Sequence, residues 1–516
     1  MRNKYLYITL FTILGFTPEM IAQPKIQYAP RLVVSITIDQ LRTDYLEAFS
    51  PLFSNDGFKR LLERGLVFSN ASYPFSPIDR ASAIATVVTG VTPSCHSIVG
   101  EQWLDRESLR PIVCTKDKQS PDQLLTSTIT DELKVATDGN ARVYSVAPFM
   151  EAAILAAGHA ANGVYWIDDE SGRWSVSSYY NAEKPQWLPV FNVTESPAKE
   201  SGVDSWEPFI ELSGTFNFFQ HTANPQKPFK HKFSGHNKFA QLKTSGLVNA
   251  YVTQMVLKCI TQEMMGSDRI TDYLNINYYA GTFNHAAMSE CLYELQDTYV
   301  RLDRELATLI STIEKKVGLE HALFVVTSTG YSDVESANYE KYRIPTGTFY
   351  MNRTSNLLNM YFGALWGQGR YIETCFRNQM FLNHKLLESK RISLTDASLR
   401  AQEFLSQMSG ISNVYSGLQL LTSNNEQTQK IRNGYNPARC GDIIIEVSPG
   451  WKILNENTND TRLSRASFIQ FPIIFYGADT KAGRINDRVT VDRIAPTIAK
   501  NLRIRAPNAC SAEPLY

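Results

Sequence analysis

The chain has 516 residues, and its 51 basic and 51 acidic side chains give a formal net charge of zero at pH 7. Sequence-independent attraction to a polyanion needs an excess of basic residues, so the composition argues against a nucleic-acid partner. The length allows a large core, arranged either as two domains or as one α/β domain with insertions.

Residues 1–23 have the pattern of a secretory signal peptide, with a basic start, an apolar stretch from Tyr5 to Phe16 and a cleavage site at Ala22-Gln23. The alternative is a membrane anchor, but the apolar run is shorter than the roughly 20 residues that span a bilayer. No later segment is apolar enough to be transmembrane. The sequence therefore predicts a periplasmic or secreted protein with one mature domain at 24–516.

Seven cysteines are scattered along the chain without a CxxC pair, at positions 95, 114, 259, 291, 375, 440 and 510. Export would permit disulfides, and Cys95 with Cys114 is the nearest pair. The odd total leaves at least one free thiol or an intermolecular bond. We interpret most of these residues as buried and inert.

Apolar, β-branched runs predict four buried strands, at 31–38, 322–327, 442–447 and 471–476. The first run ends in Asp39, at the carboxyl end where ligands bind in open parallel sheets. Helical spacing of apolar residues occurs between these runs, at 57–64, 292–316 and 491–502. Strands that alternate with helices predict an α/β fold with a mostly parallel sheet.

Two regions interrupt the alternation and are interpreted as insertions, at about 183–241 and 345–436. The first is rich in Pro, Ser, Asn, Lys and aromatic residues, and the second begins with a strand pattern at 347–352. The aromatic residues from Trp187 to Phe233 either form the core of an inserted cap or present a platform for a carbohydrate or peptide. The core interpretation suits most of them better.

Ordered sequence landmarks run along nearly the whole mature chain. They occupy residues 33–45 (VVSITIDQLRTDY), 57–65 (GFKRLLERG), 89–100 (TGVTPSCHSIVG), 120–133, 157–159, 297–306, 434–442, 449–451 and 491–498. This pattern resembles the alkaline phosphatase superfamily, in particular the exported bacterial phosphate-irrepressible phosphomonoesterases and the related type I phosphodiesterase / nucleotide pyrophosphatase proteins. The resemblance implies a three-layer sandwich with a mostly parallel central sheet and inserted cap segments.

The resemblance also implies a site in which two zinc ions flank a nucleophilic Ser or Thr. Asp39 matches the first carboxylate ligand, although an Asp there could instead cap the next helix or pair with Arg42. Counting back from the Thr-Gly at 89–90 puts Arg80 in the place of the nucleophile. Arginine has no lone pair to offer a metal or a phosphorus atom. A register slip would bring Ser82 or Asp79 there instead.

The remaining ligand motifs are mostly altered. His285 follows the strand at 273–279 and is retained, whereas Thr282 stands about where the family has Asp. Thr329 and Gly330 replace an Asp and a His, and Gln470 replaces a third imidazole. Threonine, glycine and glutamine are not usual zinc ligands.

The residues that clamp the phosphate in the monoesterase branch are also replaced. Phe149 and Glu151 stand where that branch has Lys and Arg, and Glu101 stands where it has Asn. A carboxylate would repel a phosphate dianion. Only Asp39 and His285 remain of six usual ligands, and a catalytic zinc usually needs three protein ligands.

These substitutions predict a catalytically inactive, exported member of the superfamily. It would act by binding a protein or glycan partner in the cell envelope, or as part of an envelope assembly, and would need no cofactor. No catalytic residue is expected to be intact, and Arg80 would pair with Asp39 in a metal-free core.

The alternative is an active, metal-dependent phosphomonoesterase or phosphodiesterase with a rearranged site. That site would use Asp39, His285 and acids such as Asp44 or Asp333, with zinc or a different metal, or with no metal.

Overall fold

A computed structural model describes residues 29–115, 119–180, 185–199, 205–210, 228–286, 290–332, 339, 342–422, 424–463 and 469–516. The predicted signal peptide and Asp333 lie outside these ranges. Within the described ranges, no helix is both long and apolar enough to cross a membrane.

The described chain forms eighteen strands. They are β1 (Leu32–Asp39), β2 (Leu66–Ser72), β3 (Gln102–Leu104), β4 (Pro111–Val113), β5 (Val143–Ala147), β6 (Gly163–Ile167), β7 (Trp174–Val176), β8 (Asp272–Tyr279), β9 (Ala322–Ser328), β10 (Thr348–Tyr350), β11 (Ile372–Phe376), β12 (Gln379–Leu382), β13 (Ile411–Ser416), β14 (Ile443–Val447), β15 (Lys452–Asn455), β16 (Asp460–Leu463), β17 (Phe471–Gly477) and β18 (Gly483–Thr490).

Sixteen α-helices connect the strands of the described chain. They are α1 (Thr43–Phe49), α2 (Phe58–Arg64), α3 (Arg80–Thr89), α4 (Pro93–His96), α5 (Ile129–Ala136), α6 (Met150–Ala157), α7 (Leu188–Thr194), α8 (Lys238–Lys243), α9 (Val248–Gln262), α10 (Leu292–Lys316), α11 (Met351–Trp366), α12 (His384–Ser389), α13 (Leu394–Leu405), α14 (Gly417–Thr422), α15 (Glu426–Gly434) and α16 (Ile494–Leu502).

Nine strands form the central sheet, in the order β18-β2-β17-β9-β1-β8-β5-β6-β7. Strands β9, β1, β8, β5 and β6 are mutually parallel, whereas β17 and β7 run antiparallel to their neighbours. Every residue of β1, β8 and β9 is buried, as expected for parallel strands covered on both faces. The predicted α/β class with a mostly parallel sheet is confirmed.

Helices cover both faces of the sheet and complete a three-layer sandwich. One apolar core lies between the sheet and helices α1, α2, α9 and α10. A second core lies on the opposite face, beneath α3, α5, α6 and α16. The helix predicted at 292–316 is confirmed as α10, whereas α16 begins only at Ile494, after a 3-10 turn at Val491–Arg493.

A smaller α/β unit is built mostly from the second predicted insertion. Its four-stranded antiparallel sheet has the order β11-β12-β14-β13, and a three-stranded sheet has the order β10-β15-β16. The strand predicted at 442–447 exists as β14, but it belongs to this accessory sheet and not to the central one. Its apolar run has a separate core to fill, beneath α11 and α13. The insertion boundaries at 183, 241, 345 and 436 stay predictions.

The described aromatic residues of the first insertion are core residues. Trp206 is fully buried and packs edge-on against Phe229 and Phe283, and Phe233 is also buried. The Trp206 indole donates to Asp297 Oδ2 at 2.6 Å. The core interpretation is therefore confirmed for these side chains, while residues 216, 218 and 219 lie outside the described ranges.

The seven cysteines are free thiols, so the nearest sequence pair, Cys95 with Cys114, is not bridged. Four of them are buried, at positions 114, 259, 291 and 440. Burial raises the pKa of each of these four thiols above its usual range. Buried, protonated cysteines are poor nucleophiles, as predicted for most of the set.

Candidate functional site

Arg80 is the first residue of α3 and lies at the carboxyl edge of the central sheet. Asp79 caps this helix, because its Oδ1 accepts from the backbone N–H of Ser82 at 3.0 Å and from the Ser82 hydroxyl at 2.8 Å. Asp79 and Ser82 are thus the two halves of a capping box. Arg80 is the member of this segment that contacts Asp39.

The predicted ion pair between Arg80 and Asp39 is present. Arg80 Nε donates to Asp39 Oδ2 at 2.8 Å, with the Asp39 side chain fully buried and that of Arg80 only 7% exposed. Arg80 Nη1 also donates to Glu151 Oε1 at 2.7 Å and approaches Glu101 Oε1 at 3.4 Å. One guanidinium therefore contacts three carboxylates that come from three different segments.

An aromatic ring completes the surroundings of the guanidinium. Arg80 Cζ lies 3.6 Å from the centroid of the Phe149 ring, a close cation–π contact. Phe149, Glu151 and Glu101 are the three residues that replace the phosphate clamp of the family pattern. The structure brings all three together around Arg80. We call Asp39, Arg80, Glu101, Phe149 and Glu151 the Arg80 cluster.

The second carboxylate oxygen of Asp39 is held by the residue that replaces a ligand carboxylate. Thr329 Oγ1 donates to Asp39 Oδ1 at 2.8 Å and accepts from the backbone N–H of Gln40 at 2.9 Å. The Tyr331 hydroxyl lies 3.4 Å from Asp39 Oδ2. Among the described residues, both oxygens of Asp39 thus have side-chain donors.

Gly330 follows Thr329 where the family pattern has a histidine. Its backbone has φ +66°, in the left-handed region that favours glycine. A Cβ at this position would lie 2.5 Å from the Tyr73 ring and 2.8 Å from the Phe471 ring. Tyr73 is buried, and its hydroxyl donates to the Ser328 carbonyl at 2.8 Å. Neighbouring aromatic rings therefore close the space that a side chain at position 330 would need.

The other predicted ligand positions differ in exposure and in their hydrogen-bond partners. His285 is exposed, has φ +55° and ends a short turn at Phe283–His285. Thr282 is buried, and its hydroxyl has no partner among the described residues. Gln470 is exposed and supplies its backbone carbonyl to the Thr43 N–H at 2.9 Å. Asp44, considered for a rearranged site, pairs with Arg42 at 2.6 Å.

The donor atoms at these positions do not suit a zinc ion. Zinc sites in proteins use thiolate, imidazole and carboxylate ligands. The matching positions here offer a guanidinium, two hydroxyls, a glycine, an exposed amide and the exposed imidazole of His285, and the buried carboxylate of Asp39 already pairs with Arg80. The described part of the chain also contains no group of three or more His, Cys, Asp or Glu residues arranged to hold a metal.

The charges at this edge are unfavourable for an anionic ligand. Burial alone would lower the pKa of the Arg80 guanidinium, but Asp39, Tyr331, Glu151 and Glu101 raise that pKa well above its usual value. Burial also raises the pKa of Glu101 to about 7, against the opposing effect of Arg80. Arg80 is therefore permanently charged, and its charge is already balanced within the protein.

Two cations near the Arg80 cluster were not predicted from the sequence. Lys243 Nζ lies 5.3 Å from the Phe149 ring centroid and pairs with Asp169 at 2.9 Å. Arg377 reaches Asp79 Oδ2 at 3.8 Å from the accessory unit. Neither residue lies in a motif, and Arg377 is nearly 300 positions from Asp79, so no local sequence signal identifies it.

Comparisons with known proteins identify the family of the chain. The type I phosphodiesterase / nucleotide pyrophosphatase family matches residues 33–469. Alkaline phosphatase PafA of Elizabethkingia meningoseptica is 28% identical, over 94% of this chain and 94% of that protein. Alkaline phosphatase PhoV of Synechococcus elongatus is 27% identical, over 95% of this chain and 92% of that protein.

Solved structures agree with the sequence relatives. The crystal structure of wild-type PafA has a TM-score of 0.79 at 26% identity and covers 94% of this chain and 98% of that one. A PafA variant in which one threonine, one asparagine, one lysine and one arginine are replaced has a TM-score of 0.80. The family match and these structures agree with the three-layer fold described above. The chain therefore belongs to the type I phosphodiesterase / nucleotide pyrophosphatase family, within the alkaline phosphatase superfamily.

Proposed function

We propose that this protein does not hydrolyse phosphoesters and acts by binding. The observation that carries the proposal is the Arg80 guanidinium, which takes the nucleophile position and is bonded to Asp39 and Glu151. A permanent cation cannot attack phosphorus, and here it is not free to bind a phosphate oxygen. In this proposal the Arg80 guanidinium supplies, next to Asp39, the positive charge that metal ions supply in the family, and the core needs no metal.

The four residue types replaced in the PafA variant support the same proposal. The resemblance implies a Ser or Thr at position 80, an Asn at 101, a Lys at 149 and an Arg at 151, and the four types replaced in the PafA variant fall within this set. In this chain those positions carry Arg80, Glu101, Phe149 and Glu151, and all four side chains contact one another through Arg80. A set of substitutions that fit together geometrically is typical of a site adapted to a new arrangement.

The electrostatics point the same way. Within the described residues, the carboxylates of Asp39, Asp79, Glu101 and Glu151 pair with two guanidinium groups, those of Arg80 and Arg377. The excess of negative charge would raise the free energy of a bound phosphate dianion, because like charges repel strongly where water is partly excluded.

The location and the partner are part of this proposal. We propose that the segment 1–23 directs export and is removed, and that the mature protein binds a protein or glycan in the cell envelope. Mass spectrometry of the protein isolated from its native envelope fraction would test whether the segment 1–23 is removed. A mature mass that includes residues 1–23 would contradict it.

A second candidate function is an active phosphoesterase with a rearranged site. The relatives favour it, because proteins called alkaline phosphatases match this chain over nearly its whole length. In that case zinc would be the expected cofactor, and its ligands would include residues outside the Arg80 cluster. His285 is exposed and could take part in such a site.

The test measures zinc content and ester hydrolysis on the same preparation of the mature chain. We expect no bound zinc equivalents after dialysis and no turnover of a phosphomonoester or a phosphodiester above buffer. PafA prepared and assayed in parallel is the positive control. The substitution Arg80→Thr restores a hydroxyl at the nucleophile position, and we expect it to remain inactive because the ligand positions stay altered.

Two stoichiometric zinc ions together with turnover would establish the second candidate. Turnover without zinc would also contradict the binding proposal and would direct attention to a metal-free or differently metallated site. Absence of both in the wild type, with activity in the PafA control, supports the binding proposal.

A further inference from the structure

A cleft in the accessory unit lies outside the family's catalytic landmarks. It has a volume of about 400 Å³ and is formed by helix α11, the chain from Gly369 to Cys375 and the hairpin of β15 and β16. This volume falls within the range of about 300–1,000 Å³ that is usual for small-molecule sites. Most of its lining side chains are polar.

Three asparagines of the lining share one face of α11. Asn352, Asn356 and Asn359 are spaced four and three residues apart, so they lie on the same side of the helix over roughly 10 Å. Asparagine is a weak helix former, and three on one face cost helix stability. Such a stripe therefore needs a compensating role.

In Asn352 and Asn359, hydrogen bonds within the protein use the side-chain oxygen but not the NH2 group. Asn352 Oδ1 accepts from the backbone N–H of Glu456 at 2.7 Å and so fixes the β15–β16 turn. Asn359 Oδ1 accepts from the N–H of Ile372 at 2.8 Å and so fixes the start of β11. The carbonyl oxygens of these amides are thus committed to the backbone, and their NH2 groups have no partner among the described residues.

On the hairpin side of the cleft, both halves of the Asn455 amide are used within the protein, and its NH2 donates to the Cys375 carbonyl at 3.4 Å. Asn455 Oδ1 accepts from the N–H groups of Asn457 and Thr458, at 3.1 and 3.3 Å. Arg370 is exposed and is the one charged side chain among the described lining residues. Its Nε donates to the Ile372 carbonyl at 3.4 Å, and the Ser355 hydroxyl donates to the Asn352 carbonyl at 2.9 Å. The cleft therefore offers the amide donors of α11 and the terminal nitrogens of Arg370, while several of its acceptors are already used.

We propose that this cleft binds a small acidic saccharide, a sugar ring that carries a carboxylate. Ring and hydroxyl oxygens would accept from the NH2 groups of Asn352, Asn356 and Asn359, and the carboxylate would pair with Arg370. A guanidinium and a carboxylate form strong, directional pairs. The described lining has no aromatic side chain, so a flat aromatic ligand would find no ring to stack on. This proposal is independent of the state of the Arg80 cluster.

The test titrates the full mature chain with D-glucuronate, observed by saturation-transfer NMR of the sugar. Glucose is the neutral control, and inorganic sulfate, titrated as a competitor, is the control for charge alone. We expect glucuronate to bind at millimolar concentration, glucose to bind at least tenfold more weakly, and sulfate to compete poorly.

The decisive variants keep the structural acceptors and remove the donors. Asn352→Asp and Asn359→Asp retain an oxygen for the backbone N–H groups but replace NH2 by a negative charge, so each should abolish glucuronate binding with little change in thermal stability. Asn383→Asp is the matched control, because Asn383 caps α12 through its Oδ1 and lies outside the cleft. Arg370→Gln should weaken glucuronate binding and leave glucose binding unchanged.

Other outcomes would overturn the proposal. Glucuronate that does not bind the wild type, or that binds the Asp variants as tightly, would exclude the cleft as its site. Equal binding of glucose would exclude recognition of the carboxylate, and full competition by sulfate would identify a site for inorganic anions.

Discussion

The Arg80 cluster and the asparagine-lined cleft treat polar groups in opposite ways. In the Arg80 cluster one guanidinium contacts three carboxylates of the protein itself, and Asp39 is fully buried. In the cleft, the amides of Asn352 and Asn359 satisfy the backbone on one side and present donors to solvent on the other. Polar groups that hydrogen-bond to one another inside the protein stabilise the fold, whereas donors without a protein partner can form hydrogen bonds with a ligand.

The largest expected change in the free energy of unfolding comes from a substitution in the Arg80 cluster. The substitution Arg80→Met leaves the fully buried Asp39 carboxylate without its cation, so we expect the free energy of unfolding to fall by about 3–5 kcal/mol. Urea denaturation of the mature chain measures this change. Arg400→Met is the control, because Arg400 and Glu403 form an exposed pair of the kind worth about 0–1 kcal/mol. An Arg80→Met protein as stable as the wild type would show that the pair does not hold the core.

A smaller effect is expected for the hydroxyl that holds the other oxygen of Asp39. Thr329→Val keeps the shape but leaves Asp39 Oδ1 and the Gln40 N–H without this partner, at a cost of about 1–3 kcal/mol. Thr308→Val on the exposed face of α10 provides the matched control and should change stability by less than about 0.5 kcal/mol. Equal effects of the two substitutions would mean that the hydroxyl at 329 is not structural.

The pH dependence of stability tests the partly open rim of the Arg80 cluster. Glu101 faces Asp79, Arg80, Glu151 and Arg377, and its pKa in the folded protein is raised from 4.5 to about 7. The folded state therefore binds this proton more tightly, so its contribution to stability is present at low pH and is lost as the pH rises from 4.5 to 7.

Thermal unfolding of the wild type and of Glu101→Gln at a series of pH values measures this contribution. We expect the wild type to lose stability relative to the variant over that interval and the difference to level off above it. Glu107→Gln, at an exposed glutamate, is the control and should give a constant difference. A difference in stability between the wild type and Glu101→Gln that stays constant over this pH interval would mean that Glu101 is ionised throughout.

The smallest effect on stability is expected in the cleft. Asn356 is exposed in the middle of α11, so Asn356→Ala should leave the free energy of unfolding unchanged or raise it by about 0.5 kcal/mol through helix propensity. Urea denaturation beside Arg80→Met gives the contrast between the two regions. A marked loss of stability would show that the asparagine stripe is structural and would weaken the case for a ligand.

Much of the central sheet could be predicted from the sequence, because strands buried on both faces leave continuous apolar runs. β1, β9 and β17 were predicted to within a residue or two, and Asp39 was correctly placed at a strand end. The pairing of Arg80 with Asp39 was predicted from a motif count alone, since both positions belong to segments with fixed spacing in the family.

Other features depend on contacts that no local pattern encodes. Apolar strands look the same whichever sheet they join, so β14 was not assigned to the accessory sheet. Arg377 and Lys243 come to the Arg80 cluster from distant segments. The asparagine stripe of α11 is visible in the sequence. The hydrogen bonds of its amides with the Glu456 and Ile372 N–H groups depend on distant segments and are seen only in the structure.

The left-handed glycine at position 330 restricts what this edge of the sheet can be engineered to carry. Placing a histidine there would require both a change of backbone conformation and a displacement of Tyr73, which itself anchors the end of β9 through the Ser328 carbonyl. A single Gly330→His substitution would therefore destabilise the fold at this strand end. An engineer who wishes to build a metal centre at this edge of the sheet should therefore first replace Tyr73 by a smaller residue, so that a side chain at position 330 has space.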